Sequence, residues 1–181
     1  MRTLKRPSGT KGGNVMIEYA MLAPIFFMLI AGIVEFVLYQ YRAHALNHVV
    51  YEAARNLQTG EVQSSATGDM TPEEKANAMS EAFHDEVCAH ASGMIDCEAI
   101  VFDVRAYDEV DEIEFPPVEF DDEGNPVNFV FEPGNANQFS VVRASIHHTF
   151  ITPFMAEMFG MGPDLPAIVN AFCIVQNEPW T

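Results

Sequence analysis

The chain has 181 residues, which allows one globular unit plus a tail or anchor and leaves a two-domain enzyme cramped. Hydrophobic residues make up 49% and charged residues 19%, but the apolar share is concentrated in one early block, so the average hides a membrane segment. Of the 9 Lys and Arg, four (Arg2, Lys5, Arg6 and Lys11) precede Asn14, where no acid occurs; the remainder sets five cations against 26 acids, a balance that excludes nucleic acid and anionic lipid as its partners.

The four early cations lie on one side of the apolar run, and positive charge beside a span stays in the cytoplasm. The expected orientation is therefore N-terminus in, acidic body out. A basic start and an apolar run also describe a cleaved secretory signal, whose apolar region is about 7–15 residues long before a small-residue cut. Here the run extends from Tyr19 to Val34 and resumes after Glu35 as far as Tyr39, and no A-x-A-like site follows. At about 1.5 Å per residue, Tyr19 to Tyr39 covers roughly 30 Å of helix, the thickness of bilayer hydrocarbon. Tyr19, Tyr39 and Tyr41 fall where interfacial aromatics are expected. Pro24 removes one backbone hydrogen bond inside the span and favours a bend, which membrane helices tolerate.

Two carboxylates, Glu18 and Glu35, sit about 25 Å apart along such a helix, near opposite edges of the hydrocarbon. Glu35 is expected to mark the outer edge. Glu18 demands water or a partner, because an ionised side chain inside a span is costly and by default functional. A cut after Gly13 would supply that partner. The new α-amino group of Asn14 would be a cation at a helix N-terminus, four residues before Glu18, and Glu18 of one subunit could equally neutralise the amine of a neighbour.

Gly13 followed by Asn14-Val15-Met16-Ile17-Glu18-Tyr19 resembles the prepilin processing pattern of the Tad (tight adherence, or Flp) pilus system. The block from Gly13 to Leu57, with its Glu-Tyr pair, Pro24, the second Glu-aromatic pair Glu35-Phe36 and the Glu-Ala-Ala-Arg ending at Arg55, is similar to the TadE-like segment of minor pseudopilins. The tail Asn177-Glu178-Pro179-Trp180 is similar to the endings of some TadE-like proteins. The resemblance implies a leader removed by a prepilin peptidase at the cytoplasmic membrane face, with Gly13 as its last residue and Asn14 as the mature N-terminus. It also implies a processing and assembly role for Glu18 and Tyr19. The expected partners are that peptidase, other pilins or pseudopilins, the inner-membrane assembly platform and the lipid bilayer, with no nucleic acid. The expected location is the bacterial inner membrane, single-pass, with the body periplasmic and the whole able to enter the pilus.

Past the membrane edge, Phe36, Tyr39, Ala43, Leu46, Val50, Ala53 and Leu57 recur at spacings of three and four, one face of a continuing amphipathic helix. His44 and His48 have the spacing of a zinc pair, but a site needs three or four ligands and no third stands nearby. Gly60 and Gln63 to Gly68 read as a polar loop. A second helix starts at Thr71 as N-cap, with Pro72 at its first position and Glu74 completing a capping box. Ala76, Met79, Phe83 and Val87 give it one apolar face, and it should end before Gly93.

Cys88 and Cys97 bracket the junction between that helix and the next strand; on the exported side of a membrane a disulfide is expected of them. Closing so short a loop stabilises by about 2.7 kcal/mol in the loop-entropy account. Cys173 is left as a buried free thiol. Alternation around Ile100 to Tyr107, and the β-branched and aromatic content of Phe139–Phe150 and Ala167–Gln176, predict three strands. Between the first two, the acidic insertion from Asp108 to Glu132 does not reproduce the spacing of a calcium loop and is expected to be solvated and mobile. Thr152-Pro153 should start a short helix carrying Phe154, Met155, Met158 and Phe159 and stopping at Gly160, as cover for the sheet or, if exposed, as a partner surface.

The expected fold class is α+β and pilin-like: a long N-terminal transmembrane and amphipathic helix, then a small antiparallel-sheet domain with packing helices. Its parts are a cytoplasmic leader (1–13), a transmembrane and stalk helix (14–59) and an exported acidic domain (60–181). His147 and His148 point to opposite faces of a strand, and G-x-S-x-G, H-E-x-x-H and phosphate-cradling loops do not occur, so neither an enzyme nor a cofactor is expected. The function expected is that of a structural minor pseudopilin in Tad/Flp pilus assembly and adhesion. The alternatives are an unprocessed single-span anchor presenting an exported ligand-binding domain, and a calcium-dependent adhesin-like module.

Overall fold

The computed structural model describes residues 12–66, 68–91, 93, 95–119, 121, 126–158 and 167–180. The leader up to Lys11, most of the Asp121 to Asn125 stretch, and Phe159, Gly160 and Met161 lie outside the described residues.

One helix, α1 (Gly12–Gln58), carries both the apolar run and the amphipathic stripe and continues through Pro24. It stops where Gly60 takes a left-handed backbone, φ 78, a conformation that glycine reaches without the steric cost borne by other residues. The indole of Trp180 closes over this point, and a Cβ on Gly60 would lie 2.6 Å from it. The C-terminal tail thus clamps the far end of α1. Glu178 N–H donates to Gln58 O at 2.8 Å, and buried Asn177 accepts from Ser140 and donates to Asn135 O. After Gly60 the expected polar loop winds briefly into α2 (Glu61–Ser64). Helix α3 (Pro72–His90) begins with the full capping box of Thr71 and Glu74.

Strands β1 (Val101–Tyr107), β2 (Phe139–His148) and β3 (Ala167–Gln176), with α4 (Pro153–Met158) between the last two, complete the order of elements. The sheet is antiparallel, ordered β1-β2-β3, with Val104 opposite Val142 and Val142 opposite Cys173. Its inner face (Val104, Val142, Ala144, Ile146, Val169 and Ala171) packs on Leu46, Val49, Val50, Ala53, Ala54 and Leu57 of α1. Phe83 of α3 closes the side, its ring 5.2 Å from Phe102 and 5.4 Å from Phe131. The second half of α1 is therefore the central core helix of the body. Of the predicted stripe only Phe36 faces outward, because it precedes the level at which the sheet begins.

Cys88 and Cys97 are joined, tying the last turns of α3 to the short helical turn before β1, with their Cα atoms 5.1 Å apart. Cys173 is free and only half-buried; its thiol, on the sheet's inner side, is pushed up in pKa by burial.

The described acids of the insertion are exposed, as expected of a solvated segment, but its backbone is anchored. Its described parts lie along the outer face and edge of the sheet. Asp103, on the face of β1 opposite Phe102 and Val104, is buried; its carboxylate accepts from Arg105 Nε at 3.0 Å, Arg143 Nη2 at 2.7 Å and Val130 N–H at 3.1 Å. The same two arginines reach out to the insertion, Arg105 to Asn128 O and Arg143 to Pro116 O, both at 2.8 Å, and Arg143 stacks over Phe129. Val130 and Glu132 bond Val104 on the open edge of β1. A charge-assisted network is what holds an acid-rich chain against the sheet.

Candidate functional site

From Val15 to Val34, α1 has almost no neighbours: its side chains are exposed apart from the half-buried Ala23 and Gly32. The most apolar 18-residue window of the helix has a mean hydropathy of 2.4 and is only 6% buried. A core helix would be covered by its own protein; this one is bare over about 30 Å, the thickness of bilayer hydrocarbon. The structure thus presents one N-terminal apolar helix suited to a single membrane pass. Gly13 and Asn14 lie in its first described turn, and Glu18 and Tyr19 project from its surface one turn on, both exposed.

The bare stretch ends at a built junction. Glu35 is not simply an edge marker: it is 4% exposed, and its carboxylate accepts hydrogen bonds from the N–H groups of Ile151 and Thr152 and from the Thr152 hydroxyl. Thr152 O in turn accepts from Met155 N–H at 3.0 Å, starting α4. Sequence reasoning found the helix start at Thr152-Pro153 and the carboxylate at Glu35 but left them unconnected. The available signal was a helix start with no acid of its own in the first turn.

Two turns above Glu35, Arg42 Nη1 lies 3.0 Å from His148 Nδ1. A guanidinium only donates, so Nδ1 accepts and the proton resides on Nε2, which is buried and finds no partner among the described residues. Tyr39 and Phe150 set their rings 5.4 and 4.8 Å from the imidazole. Burial first, and the Arg42 charge second, hold the His148 pKa below its ordinary 6.5, with Glu35 pulling the other way. The unfolded chain therefore binds the extra proton first. The junction should be most stable above 6.5 and lose stability as pH falls from there to the lowered value, below which the loss levels off. His148→Gln should flatten the difference; urea titrations of both proteins across that window check it.

The remaining candidates do not converge. His44 and His48 are exposed, His147 lies on the opposite face of β2 from His148, and among the described residues no group of three His, Cys, Asp or Glu is placed to hold a metal ion. On α4 the buried Met155 lies against α1, and Phe154 and Met158 face outward.

The bare helix with its Glu-Tyr pair runs without a break into the core helix that carries Glu-Ala-Ala-Arg at 52–55. Residues 13–55 match the family model of TadE-like proteins. Neither the curated proteins nor the solved structures compared contain a match to the chain. The TadE-like segment begins at Gly13 and stops in the last turn of α1, so it comprises the whole bare stretch and most of the core half of the same helix. The match likens this helix, and not the rest of the chain, to TadE-like proteins. The sheet, α3 and the acidic insertion lie outside it.

Proposed function

We propose that the chain is a minor pseudopilin of a Tad/Flp-type pilus, processed after Gly13 and assembled through its N-terminal helix. A prepilin peptidase at the cytoplasmic face removes the basic leader. The mature chain, beginning at Asn14, stays in the inner membrane with its body in the periplasm and joins other pilins or pseudopilins on the assembly platform.

The observation that carries this reading is the coincidence of the TadE-like match with the bare stretch of α1, at whose inner end Glu18 and Tyr19 stand exposed. Local chemistry supports the cut. Gly12 and Gly13 each weaken a helix by about 1 kcal/mol relative to Ala, so the turn containing the scissile bond is the easiest part of α1 to unwind into a peptidase. Asn14 and Glu18 fall one turn apart on the same helix face. The freed amine and the carboxylate can then cancel within one chain, or between neighbours whose bare helices pack together.

Intact-mass analysis of membrane-extracted protein, from hosts with and without the peptidase, tests it. The expected product with peptidase starts at Asn14. A chain that keeps Met1 to Gly13 when the peptidase is present would overturn the assignment and leave a single-span anchor presenting an exported domain.

A further inference from the structure

Two contacts fix the height of α4 along α1. Glu35 holds the N–H groups of Ile151 and Thr152, and a Cβ added at Gly32 would lie 3.6 Å from Met155 Sδ. Residues 151–155 therefore run alongside the turn of α1 from Glu35 back to Gly32, toward the membrane end and away from the core, which begins at Leu46. At this level α1 itself is bare, with Ile33 and Val34 55% and 53% exposed. There the short segment turns Ile151, Phe154 and Met158 outward, 84%, 51% and 60% exposed.

We propose that residues 151–158 are a second membrane contact: a wedge that lies beside the span and sets Ile151, Phe154 and Met158 into the outer lipid boundary. The proposal rests on the reading of α1 as a membrane span and adds the body's own seat on the bilayer. Continuity argues for lipid as the occupant. The wedge is flush with side chains of α1 that face the same hydrocarbon, and apolar side chains at this depth bury about 5–10 Å into the boundary between headgroups and acyl chains. A second copy is disfavoured by charge, since each body brings its own excess of acids. Glu157, exposed on α4, keeps the segment at the boundary, because a carboxylate is expensive deeper in. The wedge also seals Glu35: the carboxylate closest to the outer lipid boundary has its donors supplied by the segment that dips there.

The test uses the full chain in phosphatidylcholine vesicles. In a Cys173→Ala background, a nitroxide is attached at Ile151→Cys, Phe154→Cys or Met158→Cys, with Phe27→Cys in mid-span and Glu61→Cys, at the start of α2 just past the far end of α1, as references. Collision with oxygen relative to a water-soluble nickel chelate should be higher at the three wedge positions than at 61 and lower than at 27. If the wedge positions track 61 while 27 is in lipid, the wedge is wrong and the span stands. Shielding from both reagents with spin coupling between chains would assign the surface to a second copy and also end the proposal. A water-accessible label at 27 would remove the span, and the wedge with it.

Discussion

Asp103→Ala is expected to be among the most damaging single substitutions in the body, lowering stability by about 3–5 kcal/mol, the cost of stripping the partner from buried charges. Asp103 is the only carboxylate bonded to both Arg105 and Arg143 among the described ion pairs. Removing it leaves two guanidinium groups side by side, 26% and 11% exposed, and frees the N–H of Val130. Native domains are stable by only about 5–15 kcal/mol, so the loss is a large fraction of the whole. Urea unfolding of the full chain in detergent micelles, followed by far-UV circular dichroism, should show the midpoint fall. Limited proteolysis should open the insertion between Phe115 and Asn128 first, because Pro116 and Asn128 are its arginine-held points. Asp103→Asn, which retains an acceptor but no charge, should fall between. A change of less than about 1 kcal/mol for Asp103→Ala would mean that the pairs behave as solvated surface bridges and that the network does not hold the insertion.

Glu18→Ala should act on assembly and leave the body intact. On the proposed reading, Glu18 meets an α-amino group created by the cut at Gly13. Without it that cation enters the packed helices unpaired, a penalty corresponding to roughly a hundredfold or greater loss of incorporation. Membrane insertion should persist, since the bare stretch from Tyr19 to Val34 is unchanged, and the unfolding midpoint of the body should not move. Quantifying the variant in membranes and in the assembled apparatus separates the two effects. Normal assembly of Glu18→Ala would remove the electrostatic role assigned to Glu18, whatever the fate of the leader.

Much of this architecture was legible from residue order. The apolar run, the three-and-four spacing from Tyr39 to Leu57, the capping box at Thr71 and the alternation in the strands are periodic or local signals, and each depends on residues within a few turns of one another. The Glu-Tyr pair and its glycine were equally local, and they carried the family resemblance later matched over residues 13–55.

What residue order left undecided involves partners far apart in the chain. Asp103 reads as a solvent-facing strand residue until Arg143, 40 positions away, is brought opposite it by the register of β1 on β2. Glu35 reads as an edge marker until the return from β2 delivers Ile151 and Thr152 to it across 116 and 117 positions. The acids of the insertion are solvated as their composition suggests, but its anchoring was hidden because the arginines that hold it belong to the sheet. Sequence by itself determined a bare apolar helix, its carboxylates and the elements of the body, because those follow from chain periodicity and side-chain transfer energies. Only the tertiary structure decided which carboxylates are buried and satisfied, because the burial of a charge depends on whether distant donors converge on it.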